Sequence, residues 1–351
     1  MEEKVVTIKD IASDLGVSLS TIHKVIYNKK GVSEKTKQRV MQYIKEHNYR
    51  INRAASSLKR RAIRLAYVGI APDGANKFYY SEVHQGVLNA YKDYQAFNVE
   101  LDCYVTTDTV EEQLALLEKL YAERRDSLDG ILLTCVHEFL ISDVIRRFTE
   151  AGIKVVTISS DAKNSTRGAF VCSDGAMAGR VAAELIVDLG IQQNGQLLLI
   201  GGRRELSNHR LVLTNFISEL GAERPDVDVI DLYQSPDIQL LEDKICKYLK
   251  AFKDIGYIYC ITARGTYAMC RAVQSLGLSG RIKTIGTDVY EELTPFFEDR
   301  TLTATIFQNP RKQSATAMAC LYNLITLEAP VEEFNLEEIG IVVRNNMKSF
   351  L

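Results

Sequence analysis

The chain contains 351 residues, of which 46% are hydrophobic and 25% are charged, a composition that excludes bulk disorder and fits two or three folded domains. The formal net charge of −2 excludes a protein that is strongly basic or acidic as a whole. The charge is nevertheless uneven, because residues 1–61 carry 14 Lys and Arg against 6 Asp and Glu, whereas residues 62–351 carry 29 against 39. A small basic head on a large acidic body indicates a nucleic-acid-binding module or a basic tail.

The sequence indicates neither secretion nor membrane insertion. The N-terminus begins with two acids, Glu2 and Glu3, and leads into no apolar stretch of the kind found in a signal peptide. No segment approaches the roughly 18 apolar residues that a membrane helix needs. Seven cysteines are scattered without a C-x-x-C pair. We therefore expect reduced thiols in a cytosolic protein, and neither disulfides nor a metal site.

The first sixty residues show three short helical patterns. Thr7, with Asp10 three residues later, resembles a capping box, and Gly16 is suited to end the first helix. Ser18 and Ser33 are suited to cap the second and third helices. A helix, a tight turn at glycine and a second helix form the helix-turn-helix plan, whose second helix enters the major groove of DNA. The alternative is an ordinary three-helix bundle with a solvated basic face.

The second helix supplies the predicted contacts with DNA. Its first residues would face base edges, with a lysine for guanine acceptors and a leucine for a thymine methyl group. The predicted base-reading residues are Leu19, Ser20, His23 and Lys24. Phosphate contacts suit Thr21, Asn28, Lys29, Lys30 and Lys37, and Thr7 and Ser18 complete the headpiece set.

The segment Asn52–Arg61 is small, basic and compatible with a helix, and it carries one large apolar residue, Leu58. One interpretation is a solvated linker. The other is a short helix that folds on the minor groove, where two leucines from a dimer wedge into a base step and kink the duplex.

Residues 6–61 resemble the headpiece and hinge of the lactose/galactose repressor family of bacterial transcription regulators. The resemblance is carried by Val6–Ala12, Gly16-Val17-Ser18, Thr21-Ile22, Val25-Ile26, Val32-Ser33, Thr36, Asn48-Tyr49, Ala54-Ala55 and Leu58-Lys59. It implies base reading by Leu19, Ser20 and Lys24, and DNA contacts in the hinge from Asn52, Arg53, Ala55, Leu58 and Lys59. It also implies a homodimer on a pseudo-palindromic operator. Two positions depart from the family: Ile51 replaces the usual proline, and His23 replaces a small hydroxyl residue.

The acidic body alternates short apolar strands with helices, beginning with a strand at 63–70, and the pattern restarts at 195–200. This alternation predicts two similar parallel sheets covered by helices. Ligands of such sheets bind beyond the carboxyl ends of the strands, and two such edges can face one cleft.

The family resemblance covers nearly the whole chain. It implies an all-α helix-turn-helix headpiece with a hinge helix, followed by an α/β periplasmic-binding-protein-like core of two Rossmann-like subdomains, with chain crossings near residues 162, 291 and 326. The predicted domains are 1–51 for the headpiece, 52–61 for the hinge helix, 62–162 plus 292–326 for the N-subdomain, and 163–291 plus 327–351 for the C-subdomain.

Aromatic, charged and amide side chains follow several of the predicted strands. Aromatic faces can stack on a sugar, and carboxylates and arginine can each bind two vicinal hydroxyls. The candidate effector residues are Phe78, Tyr79, Thr134, Asp161, Arg210, Arg264, Asp288 and Gln308. Singly, each has an ordinary alternative as a helix cap, a surface ion pair or a core aromatic. Together they resemble the site of sugar-binding members of the superfamily.

Arg264 departs from that pattern, because ribose-type members often carry asparagine there. A second arginine in the cleft suits a carboxylate or a phosphate, so the effector is expected to be a sugar or an acidic or phosphorylated sugar. A purine or another non-sugar effector is the alternative.

An enzyme on a Rossmann-like sheet is the rival class. The sequence contains no G-x-G-x-x-G loop after the first strand, and no G-x-S-x-G, H-E-x-x-H or G-K-[ST] motif. We therefore predict a ligand-responsive transcription regulator, most simply a dimeric repressor, with no catalytic residues, cofactor or metal.

Overall fold

A computed structural model describes residues 8–26, 31–47, 61–193, 195–233 and 237–351. The side chain of His23 lies outside this part of the chain, and so do the predicted DNA-binding residues Thr7, Asn28, Lys29, Lys30, Asn52, Arg53, Ala55, Leu58 and Lys59.

The headpiece contains helices α1 (Ile8–Leu15), α2 (Leu19–Ile26) and α3 (Glu34–Glu46). Gly16 ends α1 with a φ of 63°, a left-handed conformation that glycine adopts without a steric cost. The Ser18 hydroxyl accepts the N–H of Thr21 at 3.0 Å, and the Ser33 hydroxyl accepts the N–H of Thr36 at 3.3 Å. The predicted glycine stop and both predicted serine caps are confirmed.

The three headpiece helices share a small apolar core formed by Ile11, Ala12, Ile22, Val25 and Val40. These positions follow the 3.6-residue period of each helix, so one face of every helix is buried. The three helices therefore form a compact helix-turn-helix unit with an apolar core, and the second helix keeps one exposed face.

Two six-stranded sheets form the body. The first is entirely parallel and contains, in spatial order, β11 (Phe334–Glu337), β5 (Ala169–Ser173), β4 (Lys154–Ile158), β3 (Gly130–Leu133), β1 (Ile63–Ile70) and β2 (Val99–Thr106). The second contains β12 (Gly340–Val342), β10 (Ala304–Phe307), β9 (Lys283–Thr287), β8 (Ile255–Cys260), β6 (Gln196–Gly201) and β7 (Asp228–Tyr233), with only β12 antiparallel to its neighbour.

Helices cover both sheets and bury apolar clusters on each face, as expected for strands that are almost continuous apolar runs. The first sheet carries α4 (Lys77–Gln95), α5 (Val110–Arg124), α6 (Ser142–Glu150) and α12 (Pro310–Thr326). The second carries α7 (Gly175–Asp188), α8 (Ser207–Glu223), α9 (Ile238–Ala251), α10 (Ala263–Ser275) and the short α11 (Thr294–Glu298). Among the described residues, no helix is long and apolar enough to cross a membrane.

The predicted boundaries inside the body were wrong. Strand β5 pairs with β4, so residues 163–173 belong with the first sheet, and β10 pairs with β9, so residues 292–307 belong with the second. The last segment is split, because β11 joins the first sheet and β12 the second. The first lobe is therefore 61–173 plus 310–337, and the second is 175–307 plus 340–351. The headpiece boundary at 51 and the hinge at 52–61 stay predictions.

Candidate functional site

A polar cavity lies between the carboxyl ends of the two sheets and holds about 610 Å³ of empty space, including the solvent at its mouth. The first lobe contributes side chains that follow β1, β2 and β4, namely Asn76, Tyr79, Tyr80, Asp108, Ser159 and Ser160. The second lobe contributes side chains that follow β6, β8, β9 and β10, among them Arg203, Asn208, His209, Arg264, Asp288 and Gln308. We call this space the inter-lobe cavity.

The structure places Tyr79, Arg264, Asp288 and Gln308, four of the eight predicted effector residues, in the lining of this cavity. They come from both lobes, so a ligand that binds all four would bridge the lobes.

Asp288 is the most deeply buried acid of the cavity, with 2% of its surface exposed. It directly follows β9 in a left-handed conformation (φ 64°), which turns the chain at the end of the strand. Its carboxylate accepts the backbone N–H of Gln308 at 3.0 Å and the side-chain amide at 2.8 Å. Burial raises the pKa of Asp288 to about 7, even though both hydrogen bonds favour the charged form. The cavity therefore contains a carboxyl group that changes charge near neutral pH.

Tyr79 donates its hydroxyl hydrogen to the Ser159 hydroxyl at 2.8 Å, and Ser159 donates in turn to Gln313 at 3.0 Å. Burial, with the nearby Asp288, raises the pKa of the Tyr79 phenol well above its usual value. Tyr79 thus lines the cavity as a neutral phenol whose position is fixed by its own hydrogen bond.

Two arginines of the second lobe reach across to the first. Arg203 donates to the backbone carbonyls of Val136 at 3.0 Å and Asp108 at 3.2 Å. The guanidinium of Arg264 lies 3.4 Å from the Asp108 carboxylate and 3.5 Å from the Asn76 amide oxygen. The cavity wall where the lobes meet is therefore held by charge-assisted contacts between them.

His209 and Asn208 line the cavity, although neither was among the predicted effector residues. The Nδ1 atom of His209 accepts the backbone N–H of Arg203 at 2.9 Å, and burial, together with Arg203 and Arg264, lowers the pKa of His209 to about 4. The ring is therefore neutral, with its proton on Nε2. Asn208 donates to the Ser159 carbonyl at 2.9 Å, whereas its buried Oδ1 has no hydrogen-bond partner among the described residues. These groups offer a ligand one donor and one acceptor.

Phe78 does not line the cavity. Its ring is buried between Tyr267 and Tyr290 of the second lobe, with centroids 4.9 and 4.6 Å away. The neighbouring Lys77 forms an ion pair with Glu292 of the second lobe at 2.6 Å. The predicted stacking on a ligand was wrong, because this ring is already stacked on protein.

Asp161 and Thr134 are also outside the lining. The Asp161 carboxylate is held by both arms of the Arg167 guanidinium, with one contact of 2.7 Å, and by the N–H of Ala162 at 2.8 Å. Thr134 has no exposed surface and continues the strand pairing through its N–H to Val68. Both predictions were wrong, because each side chain is buried within the first lobe.

Arg210 lies on the outer side of α8 and its guanidinium contacts Glu138 of the first lobe at 2.6 Å. Its place in the cavity is taken by His209, one residue earlier. Successive helical residues are about 100° apart, so the faces of α8 differ: Asn208 and His209 face the cavity, whereas Arg210 points away from it. His209 shares its face with the buried Phe216 and Leu220 of the same helix. This helical periodicity is visible in the sequence and could have identified His209 as a residue that faces inward.

The headpiece keeps an exposed surface at the start of α2. Leu19 is 43% exposed although it is apolar, and Ser20 is exposed beside it. Ser18 and Thr21 hydrogen-bond to each other through their hydroxyls at 2.9 Å. Leu19, Ser20, Thr21 and Lys24 are thus partly or fully accessible at the helix that a helix-turn-helix places in the major groove.

Two parallel sheets that close over a polar cavity, joined to a helix-turn-helix, define a DNA-binding protein with a small-molecule-binding core. Residues 7–52 match the family model described as bacterial regulatory proteins, lacI family, and residues 68–329 match the model of a periplasmic binding protein domain. The chain belongs to the lacI family of bacterial transcription regulators, and is therefore a DNA-binding regulator rather than an enzyme.

Relatives with curated names agree with this assignment. The transcriptional regulator MalR of Streptococcus pneumoniae is 27% identical over 246 residues, covering 70% of this chain and 71% of the relative. The transcriptional regulator RegA of Clostridium saccharobutylicum is 28% identical, covering 58% of this chain and 57% of the relative.

Solved structures share the fold of the body. A solute-binding protein of Burkholderia graminis in complex with D-arabinose superposes with a TM-score of 0.74 at 20% identity, covering 83% of this chain and 98% of that one. The glucose-galactose binding protein GanP of Geobacillus stearothermophilus has a TM-score of 0.71 at 21% identity, covering 82% and 99%. At this identity the likeness establishes the fold.

Proposed function

We propose that this regulator is a homodimeric repressor whose operator affinity is controlled by a sugar or sugar derivative bound in the inter-lobe cavity. The observation that carries the proposal is the mixture of donors and acceptors that the two lobes direct into one shared cavity. Asn208 and Asp288 offer acceptors, and His209 and Arg264 offer donors. A sugar hydroxyl both donates and accepts, so a polyhydroxyl ligand matches this mixture.

The effector contacts in this proposal are Tyr79, Arg203, Asn208, His209, Arg264, Asp288 and Gln308. Two proteins with the same fold support the sugar class: one was solved in complex with D-arabinose, and the other is a glucose-galactose binding protein. A nucleobase can also donate an N–H to the carboxyl of Asp288, so it is the alternative that the binding test has to distinguish.

Control of DNA binding follows from linkage between two states. Side chains of the second lobe already contact the first through Arg203, Asn208 and Arg210. A ligand that binds both lobes favours one inter-lobe angle, and in a dimer this changes the spacing of the two hinge segments. The expected coupling is about 1–3 kcal/mol, and its magnitude equals the difference in ligand affinity between the two states. Leu19, Ser20 and Lys24 would read a pseudo-palindromic operator in the bacterial cytoplasm.

The proposal is tested by a thermal-shift screen of the full chain against sugars, sugar acids, sugar phosphates and nucleobases. A ligand present at 100 times its Kd stabilises the folded state by about 2.7 kcal/mol. Each hit is then added to a fluorescence-anisotropy titration with operator DNA selected from a randomised pseudo-palindromic library. A sugar that shifts both melting and operator affinity is the expected result. Hits confined to nucleobases, or sugar binding without an effect on DNA, would contradict the proposal.

Leu58 is expected to insert into the minor groove. Leu58→Ala should weaken operator binding about tenfold or more, because the energy of the kinked complex depends on the inserted side chain. Effector affinity, measured by calorimetry, should stay unchanged, since the cavity lies in the body. Leu140→Ala removes a leucine that is 58% exposed in the first lobe and serves as the control. Equal operator affinity of the Leu58 variant and the wild type would refute the insertion.

A further inference from the structure

An outer cleft opens beside the inter-lobe cavity and shares three of its residues, Asp108, Arg203 and Arg264. Arg204, Glu205 and Tyr233 of the second lobe complete its charged and aromatic lining. Asp108, Arg203 and Arg264 therefore border both spaces, and a ligand that reached from the cavity into the cleft would contact them.

The cations of the outer cleft outnumber its anions. The Arg203 guanidinium is paired with Glu205 at 2.7 Å, and Arg264 lies 3.4 Å from the carboxylate of Asp108. Arg204 forms no ion pair with a carboxylate of any described residue. One positive charge of the cleft is thus left uncompensated within the described part of the chain.

Arg204 is also held in place. Its guanidinium carbon lies 3.6 Å from the ring centroid of Tyr233, a cation–π contact that restrains a long side chain. The contact covers one face of the only aromatic ring of this cleft among the described residues. That face is not available to stack on a second sugar ring, so a longer neutral saccharide fits this cleft less well than a charged group does.

We propose that the effector is an anionic sugar derivative, whose polyhydroxyl part occupies the inter-lobe cavity and whose phosphate or carboxylate is bound in the outer cleft by Arg204, with Arg203 and Arg264. Guanidinium groups bind both anions through paired N–H donors. The inference rests on the proposed function, since it assigns the chemical class of the ligand of that same site.

The test compares matched probes by calorimetry on the full chain: each hexose, its 6-phosphate and its uronic acid, with inorganic phosphate and sulfate added separately. The anionic member is expected to bind at least about tenfold more tightly than its neutral partner, and the preference is expected to fall as salt is raised. The 6-phosphate and uronate arms show which anion is preferred.

Arg204→Gln is expected to remove most of that preference and leave the affinity for the neutral hexose unchanged. Arg204→Lys should keep part of the preference for the anionic ligand, because the positive charge remains while the paired N–H donors of the planar guanidinium are lost. Arg344→Gln removes one charge from an exposed turn of the second lobe and is the matched control. Both positions are at the surface, so the three variants should melt close to the wild type.

The outcomes separate this inference from the proposed function. Equal affinity for neutral and anionic partners, or a preference that survives Arg204→Gln, overturns the anionic class while the sugar-responsive regulator stands. Stabilisation by phosphate that depends on Arg204, with no response to any sugar, supports the anion site and contradicts the sugar class. The absence of binding by every probe contradicts both.

Discussion

Asp288→Asn is expected to abolish most effector binding and, at pH 8, to raise the stability of the fold. The wild-type carboxyl is buried, and its pKa of about 7 lies well above the ordinary value of roughly 3.9. The folded state therefore keeps a proton that the unfolded state releases near pH 4. As a consequence, the stability of the wild type falls as the pH rises from about 4 to 7. At about 1.4 kcal/mol per pKa unit, the cost by pH 8 is on the order of 4 kcal/mol.

Asparagine removes that cost because it is neutral at every pH. Its amide can keep both hydrogen bonds with Gln308 if the Gln308 side chain flips, since the present contacts are one backbone N–H and one side-chain amide. Chemical denaturation at pH 5 and pH 8 measures the effect. The variant should be more stable than the wild type at pH 8 by up to a few kcal/mol, and by only about 1.5 kcal/mol at pH 5, which is about one unit above the unfolded-state pKa. A variant that is less stable at pH 8 would contradict a net cost of burying this carboxylate.

Effector affinity should change in the direction opposite to stability, and Asp288→Asn should bind the effector more weakly than the wild type. A ligand hydroxyl that donates to the ionised carboxylate makes a charge-assisted hydrogen bond of about 1.5–3 kcal/mol, so the asparagine variant should lose about ten- to a hundredfold in affinity at pH 8. Wild-type affinity should rise with pH up to about 7 and then level, whereas the variant should show no such rise. Affinity of the wild type that is flat between pH 6 and 8 would remove Asp288 from the contacts.

Asp299→Asn is the matched control. Burial alone would raise the pKa of Asp299, but hydrogen bonds from Thr301 and Gln274 outweigh it and lower the pKa below its usual value. This ionised carboxylate stabilises the fold at neutral pH and loses that contribution as the pH falls, so its asparagine variant should be less stable at pH 8. Effector affinity should be unaffected, because Asp299 lies outside the cavity lining.

The sequence was sufficient to predict the helix-turn-helix, most strands and the edge of the sheets where ligands bind. These features depend on local signals: glycine at the turn, hydroxyl caps and continuous apolar runs. Strand β5 (Ala169–Ser173) was missed because it breaks the alternation of strands and helices: it follows β4 without a helix between them, and its other neighbour, β11, lies near the end of the chain. Because β5 was not predicted, the first crossing of the chain between the lobes was predicted near residue 162, whereas it lies after the end of β5.

The wrong predictions of site residues have two physical causes. The sequence shows that Asp161 follows a strand, but its partner Arg167 becomes visible only when β5 returns the chain beside β4. Separately, Phe78 and Tyr79 are adjacent aromatic residues at the start of α4, and helical geometry turns one into the second lobe and the other into the cavity. Which of two neighbours faces a cavity is decided by the packing of the helix and not by the residue type.

Phe78→Ala is expected to lower both the stability of the protein and its affinity for the effector. Phe78 starts α4 of the first lobe, yet its ring is 5% exposed and packs on Tyr267 and Tyr290 of the second lobe. Truncation of a buried phenylalanine within a domain costs about 3–5 kcal/mol. Here part of that cost can be relieved by separation of the lobes, so the loss of stability should be smaller and a more open arrangement should be populated.

The comparison with Phe216→Ala distinguishes an inter-lobe contact from a simple loss of packing. Phe216 has no exposed surface and packs on Tyr259 inside the second lobe, so its truncation should lower the melting temperature more and leave the inter-lobe angle unchanged. The radius of gyration from small-angle scattering should increase for Phe78→Ala only, and effector affinity should fall for that variant. Phe78→Leu, which keeps most of the apolar volume, should restore part of both properties. If Phe78→Ala destabilises the fold as strongly as Phe216→Ala without any change in scattering or affinity, then Phe78 serves the core of the second lobe and the closed arrangement depends on Arg203, Arg210 and Lys77 instead.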